Sequence, residues 1–374
     1  MQLSVGTADL KDAITWAKDA LSQTSPELAK IRLETAGNEL KVKAVGREQA
    51  ACYSVPARIE AEGSAVVWAD LAFKGIQSLS SDYCSMETEG NEVKVWSGGF
   101  TLKLTEVEDS VEFPDLPPVQ GTILPSDLAH GVQRSAFSAS RIGNDPEGFK
   151  SVRMDFRDSQ IIFTATNRYR IARCVAKWSP AKEGKGVALV NASALKSIAN
   201  SFKSDSDQEP VRIAFNPEDP EIIAFESAGK LKTIQLLDPA ALPETEWLFK
   251  DDYEINVIME KEQFFSTFKR VASVADPREG AVHVDISPAK AVISVATEKA
   301  HSKETVDATL VGRASEMDFT PYYVTEWLSS ITHPFIRLRM NEDVKIVEFD
   351  GQDGRNASPD LSYRYLVTPF TPEK

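Results

Sequence analysis

The strongest constraint on the fold is a pattern of helix and strands that is written three times along the 374 residues. Each copy opens with a short alternating strand, a turn and an amphipathic helix, and the copies begin near Leu3, Gly121 and Val257. In the first helix, Leu10 and Ile14 start an apolar stripe at helical spacing. A long internal repeat predicts similar structural units that follow one another along the chain.

A second unit, consisting of a strand, a short helix and another strand, recurs within each third. Its copies are AVVWADLAFKGIQSL, VALVNASALKSIANSF and MDFTPYYVTEWLSSI, and alternating strands follow each of them. Equivalent positions keep similar offsets, since Leu10 to Leu128 spans 118 residues and Lys74 to Lys196 spans 122. Between the second and third copies, equivalent positions are 130 to 136 residues apart. The alternative, three unrelated α+β domains, does not explain this order and spacing.

The connections between the copies set the expected domains. The Pro-rich stretch FPDLPPVQG closes the first third, and DPAALPETEWLFKDDYE closes the second. Proline stiffens such connections and ends strands. We therefore expect an α+β protein of three similar domains at residues 1–119, 120–251 and 252–374, each with two helices packed on antiparallel sheets.

The charge of the chain bears on its partners. The formal net charge is −14 and the isoelectric point is near 4.9. Taken alone, this balance argues against a nucleic-acid partner, because cations that neutralise phosphates supply most of that affinity. Net charge is a sum, however, and binding depends on where the cations lie.

The sequence lacks the usual signatures of catalysis and of metal binding. It contains no GxxxxGK[ST] loop, no GxGxxG after a strand, no HExxH and no GxSxG. Cys52, Cys84 and Cys174 are scattered and form no CxxC pair, so neither a disulfide framework nor a zinc site is indicated. We expect a non-enzymatic protein without metal or cofactor. The competing hypothesis is an enzyme with an unrecognised site, such as a nuclease.

The beginning of the chain and its hydropathy suggest a location. No apolar run approaches the roughly 20 residues of a membrane helix. The start, MQLSVGTADLKD, has no basic, apolar leader. We therefore expect no membrane partner and a cytoplasmic protein.

Two segments are unusually apolar for surface connections. LPETEWLF lies in the second linker, and YLVTPF lies close to the C-terminal end of the sequence. One interpretation is that the second segment is a last strand packing into its own core. The other is an apolar groove, built from linker and C-terminal segment, that accepts short peptides.

Together with the triplication, the segments TATNRYRIA, LPETEWLF and YLVTPF resemble the bacterial DNA polymerase sliding clamp, the beta subunit of the replicative polymerase. The Arg-Tyr-Arg form is most similar to actinobacterial members. The resemblance implies a head-to-tail homodimer that closes into a ring around double-stranded DNA. It implies sequence-independent DNA contact, a nucleoid-associated location, and tethering of DNA polymerase, clamp loader and repair proteins by their clamp-binding peptides.

The resemblance also implies roles for individual residues. The peptide pocket between the second and third domains would be formed by Thr166, Arg168, Tyr169, Arg170, Ile171, Pro243, Trp247, Leu248, Val344, Ile346, Leu366, Thr368, Pro369 and Phe370. The cations that face DNA would be Lys11, Lys18, Lys74, Arg134, Arg141, Lys196, Lys203, Lys269, Arg270 and Arg278. The dimer interface would contain Phe100, Leu102, Ser273 and Val274.

Several positions depart from the family pattern. Asn167 stands where the family usually has Asp, Trp247 where many members carry Arg, and Thr368 where Met is usual. These changes alter the shape of the expected pocket. They leave two alternatives open, namely a secondary or phage-type clamp with altered partner preference, and a clamp-like peptide-binding scaffold.

Overall fold

The computed structural model describes residues 1–22, 24–181, 185–203, 209–276, 280–343 and 345–370. Within these ranges the helices are α1 Thr7–Asp19, α2 Ala69–Gln77, α3 Pro125–Ala136, α4 Ala192–Phe202, α5 Lys261–Ala272 and α6 Pro321–Ser330. Short 3-10 turns lie at Glu147–Lys150, Pro239–Ala241 and Glu246–Leu248. No helix of the described ranges has the length and apolar character to cross a membrane.

The strands are numbered in chain order. The first thirteen are β1 Gln2–Gly6, β2 Lys30–Ala36, β3 Glu39–Val45, β4 Gln49–Ala61, β5 Ser64–Trp68, β6 Tyr83–Glu89, β7 Glu92–Ser97, β8 Phe100–Thr105, β9 Val119–Ile123, β10 Ser151–Arg157, β11 Gln160–Thr166, β12 Arg170–Lys177 and β13 Ser179–Pro180. The others are β14 Gly186–Asn191, β15 Val211–Phe215, β16 Ile222–Ser227, β17 Lys230–Gln235, β18 Ile255–Glu260, β19 Val282–Ser287, β20 Lys290–Ala296, β21 His301–Asp307, β22 Thr309–Val311, β23 Ser315–Phe319, β24 Phe335–Met340, β25 Val347–Gln352 and β26 Tyr363–Val367.

The chain forms two compact units. The first contains Met1–Pro125, Ser179–Gly184 and Ser201–Leu236, and the second contains Ser126–Trp178, Lys185–Asn200 and Leu237–Lys374. The units follow the sheets rather than the sequence thirds. The boundaries at 119/120 and 251/252 therefore stay a prediction.

The first unit is built on one large antiparallel sheet. Its main path runs β13-β9-β15-β16-β17-β4-β1-β6-β7-β8, and β2, β3 and β5 branch from β4. Alternating burial along β2 and β3 turns one face toward α1 and α2. The core there includes Leu10 and Ile14 of α1, as the helical spacing predicts, and Val42 and Val67 of the sheet. The path ends at β8, which pairs only with β7 among the described strands.

The second unit contains two antiparallel sheets. A nine-stranded sheet runs β14-β10-β11-β12-β26-β25-β24-β18-β22, and a four-stranded sheet runs β21-β20-β19-β23. The main core of this unit includes Phe264 and Phe268 of α5 and Trp327 of α6, together with Phe349 and Tyr365 from the nine-stranded sheet. The expected α+β class, with helices packed on antiparallel sheets, is confirmed.

Candidate functional site

One face of the nine-stranded sheet packs on the helices, and the opposite, outer face is strongly charged. An apolar pair interrupts these charges where Ile171 of β12 lies opposite Leu366 of β26. The pair Arg173 and Arg364 follows two residues along on the same face. Ile171 and Leu366 are both buried. They form a small apolar floor at the margin of a charged surface.

The linker after the short turn Pro239–Ala241 is fixed to this outer face. The guanidinium of Arg157 donates to both carboxylate oxygens of Glu246, at 3.0 and 2.9 Å. Further along, the ring of Phe249 lies 5.1 Å from the guanidinium carbon of Arg364. These contacts hold the turn Glu246–Leu248 in place beside the floor.

Two large aromatic side chains, one in the linker and one in the loop before β12, are exposed. Trp247 is 70% exposed, and its indole nitrogen donates to the carbonyl of Glu244 at 3.1 Å. Tyr169 is 58% exposed, and its carbonyl accepts a hydrogen bond from the Thr368 amide at 2.8 Å. Trp and Tyr are enriched among the residues that contribute most binding energy at interfaces.

The loop between β11 and β12 is shaped by Asn167. Its side-chain oxygen accepts from the amides of Tyr169 and Arg170, at 3.2 and 3.1 Å. Its side-chain nitrogen donates to the hydroxyl of Tyr323 at 3.1 Å. This is the local backbone capping that Asn and Asp side chains both provide. The Asn in place of the family's usual Asp therefore keeps the turn.

Arg170 points away from the outer face, toward the helices. Its guanidinium is buried and donates to Glu326 at 2.6 Å and to the Phe137 carbonyl at 2.5 Å. Burial acts to lower the pKa of Arg170, but the neighbouring Tyr365 and Glu326 outweigh it and raise that pKa. Arg170 is thus a charged group inside the unit that holds the first residue of β12.

The remaining expected pocket residues differ in exposure. Thr166 is buried, and its hydroxyl accepts from the Arg168 amide at 3.0 Å. Pro243 and Thr368 are exposed, and the half-buried residues are Leu248, Ile346, Pro369 and Phe370. The Phe370 amide donates to the Asp318 carbonyl at 2.7 Å, which fixes the C-terminal segment. Val344 lies outside the described residues.

The expected DNA-facing cations fall into two groups. Four of them already have protein partners: Lys11 donates to the Leu79 carbonyl at 2.7 Å, Lys18 pairs with Asp70 at 2.8 Å, Arg141 with Glu326 at 2.7 Å and Arg270 with Glu304 at 2.5 Å.

The other cations make no ion pair within the described ranges. Lys74, Lys196 and Lys203 are exposed, Lys269 lies 5.4 Å from the Phe265 ring centroid, and Arg134 lies 5.1 Å from that of Tyr363. Arg278 lies outside the described residues.

The four expected interface residues lie on β8 and directly after α5. Phe100 and Leu102 belong to β8, and Phe100 is 42% exposed. Gly75 of α2 packs so tightly on Leu102 that an added Cβ would lie 2.4 Å from its methyl carbon. Ser273 and Val274 are exposed and follow directly after α5.

Two family models match this chain. The model for the central domain of the DNA polymerase III beta subunit matches residues 122–244, and the model for its C-terminal domain matches residues 247–362. The two matches cover more than half of the 374 residues. The chain belongs to this family, the bacterial sliding clamps.

Curated relatives extend the likeness to nearly the full length. The beta sliding clamp of Streptomyces coelicolor is 28% identical and covers 99% of each chain. The beta sliding clamp of Micrococcus luteus is 26% identical over 83% of this chain and 100% of the relative. A beta sliding clamp homolog, GriR, from Streptomyces muensis is 23% identical over 99% of each chain. The resemblance to actinobacterial clamps is thus confirmed.

Solved clamps share the fold. The DNA polymerase sliding clamp of Bacillus subtilis superposes with a TM-score of 0.89 at 19% identity, covering 100% of both chains. A Pseudomonas aeruginosa clamp bound to griselimycin has a TM-score of 0.87 at 16% identity, again over 100% of both chains. At these identities the likeness establishes the clamp fold.

Sequence reasoning missed several residues that fix the linker and the start of β12. Arg157 and Glu246 hold the linker, and Glu326 holds Arg170. The alternation of Arg153, Asp155 and Arg157 along β10 was the available signal, since it marks one face as charged. No group of three or more potential metal ligands occurs within the described ranges.

Proposed function

We propose that this chain is a DNA sliding clamp, a non-catalytic processivity factor that encircles duplex DNA and tethers the replicative polymerase, the clamp loader and repair proteins. The observation that carries this proposal is its near full-length similarity to beta sliding clamps, on an architecture with their fold. A sliding clamp acts on the chromosome, so we place the protein at the nucleoid in the cytoplasm.

Contact with DNA would use the cations of the repeated helices. Lys74 of α2 and Lys196 of α4 occupy equivalent positions in the first two copies and are both exposed. Lysines of this kind bind phosphate without reading bases, which permits sliding. The net charge of −14 does not oppose this role, because its acidic groups can lie on other surfaces.

Ring closure would use two open sheet edges. β8 ends the sheet of the first unit, and β21 ends the four-stranded sheet of the second. Unpaired edges are templates for pairing with another chain. We propose that β8 of one copy pairs with β21 of the other, which brings Phe100 and Leu102 toward Ser273 and Val274. Because the two surfaces differ, the contact is heterologous and two such contacts close a ring.

Tethering would use the apolar floor and its exposed aromatic neighbours. A peptide with one or two large apolar residues could cover Ile171 and Leu366 and contact Trp247 and Tyr169. Burial of two such side chains contributes roughly 3–6 kcal/mol before ordering costs, which alone corresponds to an affinity between millimolar and tens of micromolar. Binding of that strength lets partners exchange on one ring.

The decisive experiment measures retention on circular DNA. The protein is loaded onto a nicked circle with a clamp loader, and gel filtration then separates bound from free protein. We expect stable retention on the circle and rapid loss after a restriction enzyme cuts it, since the ring can then slide off the ends. Equal retention on both forms would contradict encirclement, and a monomer in sedimentation would contradict the ring.

A further inference from the structure

Arg168 has a backbone conformation that residues other than glycine rarely adopt. Its φ is +81°, in the left-handed region where a Cβ costs roughly 1–2 kcal/mol. Thr166 and Asn167 hold the loop in this shape through the hydrogen bonds described above. Glycine would fit the same backbone without strain. The Arg side chain is therefore kept at a cost, which points to a role for its guanidinium.

The guanidinium of Arg168 packs beside the short turn Glu147–Lys150. Its carbon is 5.0 Å from the ring centroid of Phe149, and its Nη2 donates to Asp145 at 2.5 Å. Next to Phe149, Gly148 approaches the linker so closely that a Cβ would lie 2.0 Å from the Ala241 carbonyl oxygen. The turn Glu147–Lys150 thus contacts both Arg168 and the start of the linker.

The guanidinium of Arg168 combines exposure to solvent with unused hydrogen-bond donors. Its side chain is 48% exposed, and within the described ranges its Nε and Nη1 have no hydrogen-bond partner. Both terminal nitrogens of Arg157 bind Glu246. Arg170 is buried, and Glu326 takes one of its nitrogens. Arg168 differs from both in that two of its three nitrogens stay available to a further anion.

Asp145 orients this guanidinium. Its carboxylate accepts from the Ser140 hydroxyl and from Arg168. The Ser140 hydrogen bond, together with the charge of Arg168, lowers the pKa of Asp145, which therefore stays ionised near neutral pH. The Nη2 of Arg168 is fixed in this way, and the Phe149 ring packs against the guanidinium. The other edge of the guanidinium is available to a ligand.

We propose that Arg168 is a specificity-determining residue of the peptide pocket, and that it binds a carboxylate which the partner peptide carries beside its apolar anchors. Guanidinium and carboxylate match each other through two parallel hydrogen bonds. The inference rests on the proposed function, because it assumes that peptides occupy the pocket. Acidic side chains and a free C-terminal carboxylate share this chemistry.

The test compares peptides that differ in one carboxylate. The probes are synthetic peptides with a Gln and two large apolar residues, blocked at both ends, with Glu or its neutral twin Gln on either side of the anchors. A further probe carries a free C-terminal carboxylate after the last anchor. Calorimetry with the full chain should show about 3–10-fold tighter binding for one carboxylate probe than for its neutral twin. The difference should shrink as salt is added.

Three variants assign the effect to Arg168. Arg168→Gly suits the left-handed backbone, and Arg168→Gln removes only the charge, so both should bind charged and neutral probes equally. Lys177→Gln, at the exposed far end of β12, is the matched control and should keep the preference.

The outcomes separate the inference from the proposed function. The role of Arg168 would be overturned if the unmodified protein bound the Glu and Gln peptides equally, or if Arg168→Gly kept the preference. Neither result would contradict the proposed pocket. If no probe binds at all, the pocket itself is overturned together with this role.

Discussion

At the scale of single residues, Arg170 shows that a sequence motif can be recognised while the residue that pairs with it is not. The segment TATNRYRIA indicates from sequence that Arg170 belongs to the expected site. The carboxylate that balances it belongs to Glu326, 156 residues further along the chain. No local pattern predicts such a pairing, because it depends on how α6 packs against β12. The same limit applies to Asn167 and the hydroxyl of Tyr323.

Removal of that carboxylate should destabilise the second unit. In Glu326→Gln the guanidinium of Arg170, whose side chain is 1% exposed, loses its counter-charge inside the protein. An uncompensated buried charge costs about 3–5 kcal/mol. Urea unfolding followed by tryptophan fluorescence should therefore show a clear fall in the midpoint.

Arg141 supplies the control for this prediction. It binds the same carboxylate from the solvent side, with a side chain that is 64% exposed. Exposed pairs contribute about 0.2–1 kcal/mol, so Arg141→Gln should shift the midpoint only slightly. Equal losses in the two variants would show that burial of Arg170 is not the cause.

At the scale of elements, sequence periodicity predicted the helices and strands, whereas tertiary contacts determine the conformation of the linker. Leu10 and Ile14 lie buried on α1, as their spacing indicates. The alternation in LKVKAVGRE likewise gives β3 its buried face. The short turn Glu246–Leu248 has no such signal. It depends on the ion pair between Arg157 and Glu246, which connects two distant parts of the chain.

This turn presents Trp247 to solvent, and that exposure leads to a prediction. Trp247→Ala should weaken binding of a clamp-binding peptide about 30-fold or more, since truncation of a central aromatic anchor typically costs 2 kcal/mol or more. Fluorescence polarisation with a labelled peptide measures this loss. Sedimentation should show an unchanged oligomeric state.

Tyr83→Ala is the matched control, because Tyr83 is an exposed aromatic residue of similar accessibility, at 71%, in the other unit. Its removal should leave peptide affinity as it was. If Trp247→Ala also binds with full affinity, the peptide does not contact the linker turn.

At the scale of the whole molecule, the repeat predicted a clamp-like architecture, but the units of the structure do not coincide with the thirds of the sequence. The strand pairing of β4 with β17 joins elements from the first and second copies in one sheet. The pairing of β12 with β26 does the same for the second and third copies. Within the described ranges, β8 and β21 each end a sheet and pair with one strand.

Those open edges give the last prediction, which concerns the ring itself. Phe100→Asp replaces the exposed aromatic side chain of β8 with a charge at the proposed joint, and burying that charge unpaired would cost several kcal/mol. The dimer should therefore dissociate at micromolar concentration in sedimentation, and retention on circular DNA should be lost. Leu116→Asp alters a residue of similar exposure, 48%, outside β8, and should leave the dimer intact. A Phe100→Asp protein that stays dimeric would place the joint on another surface.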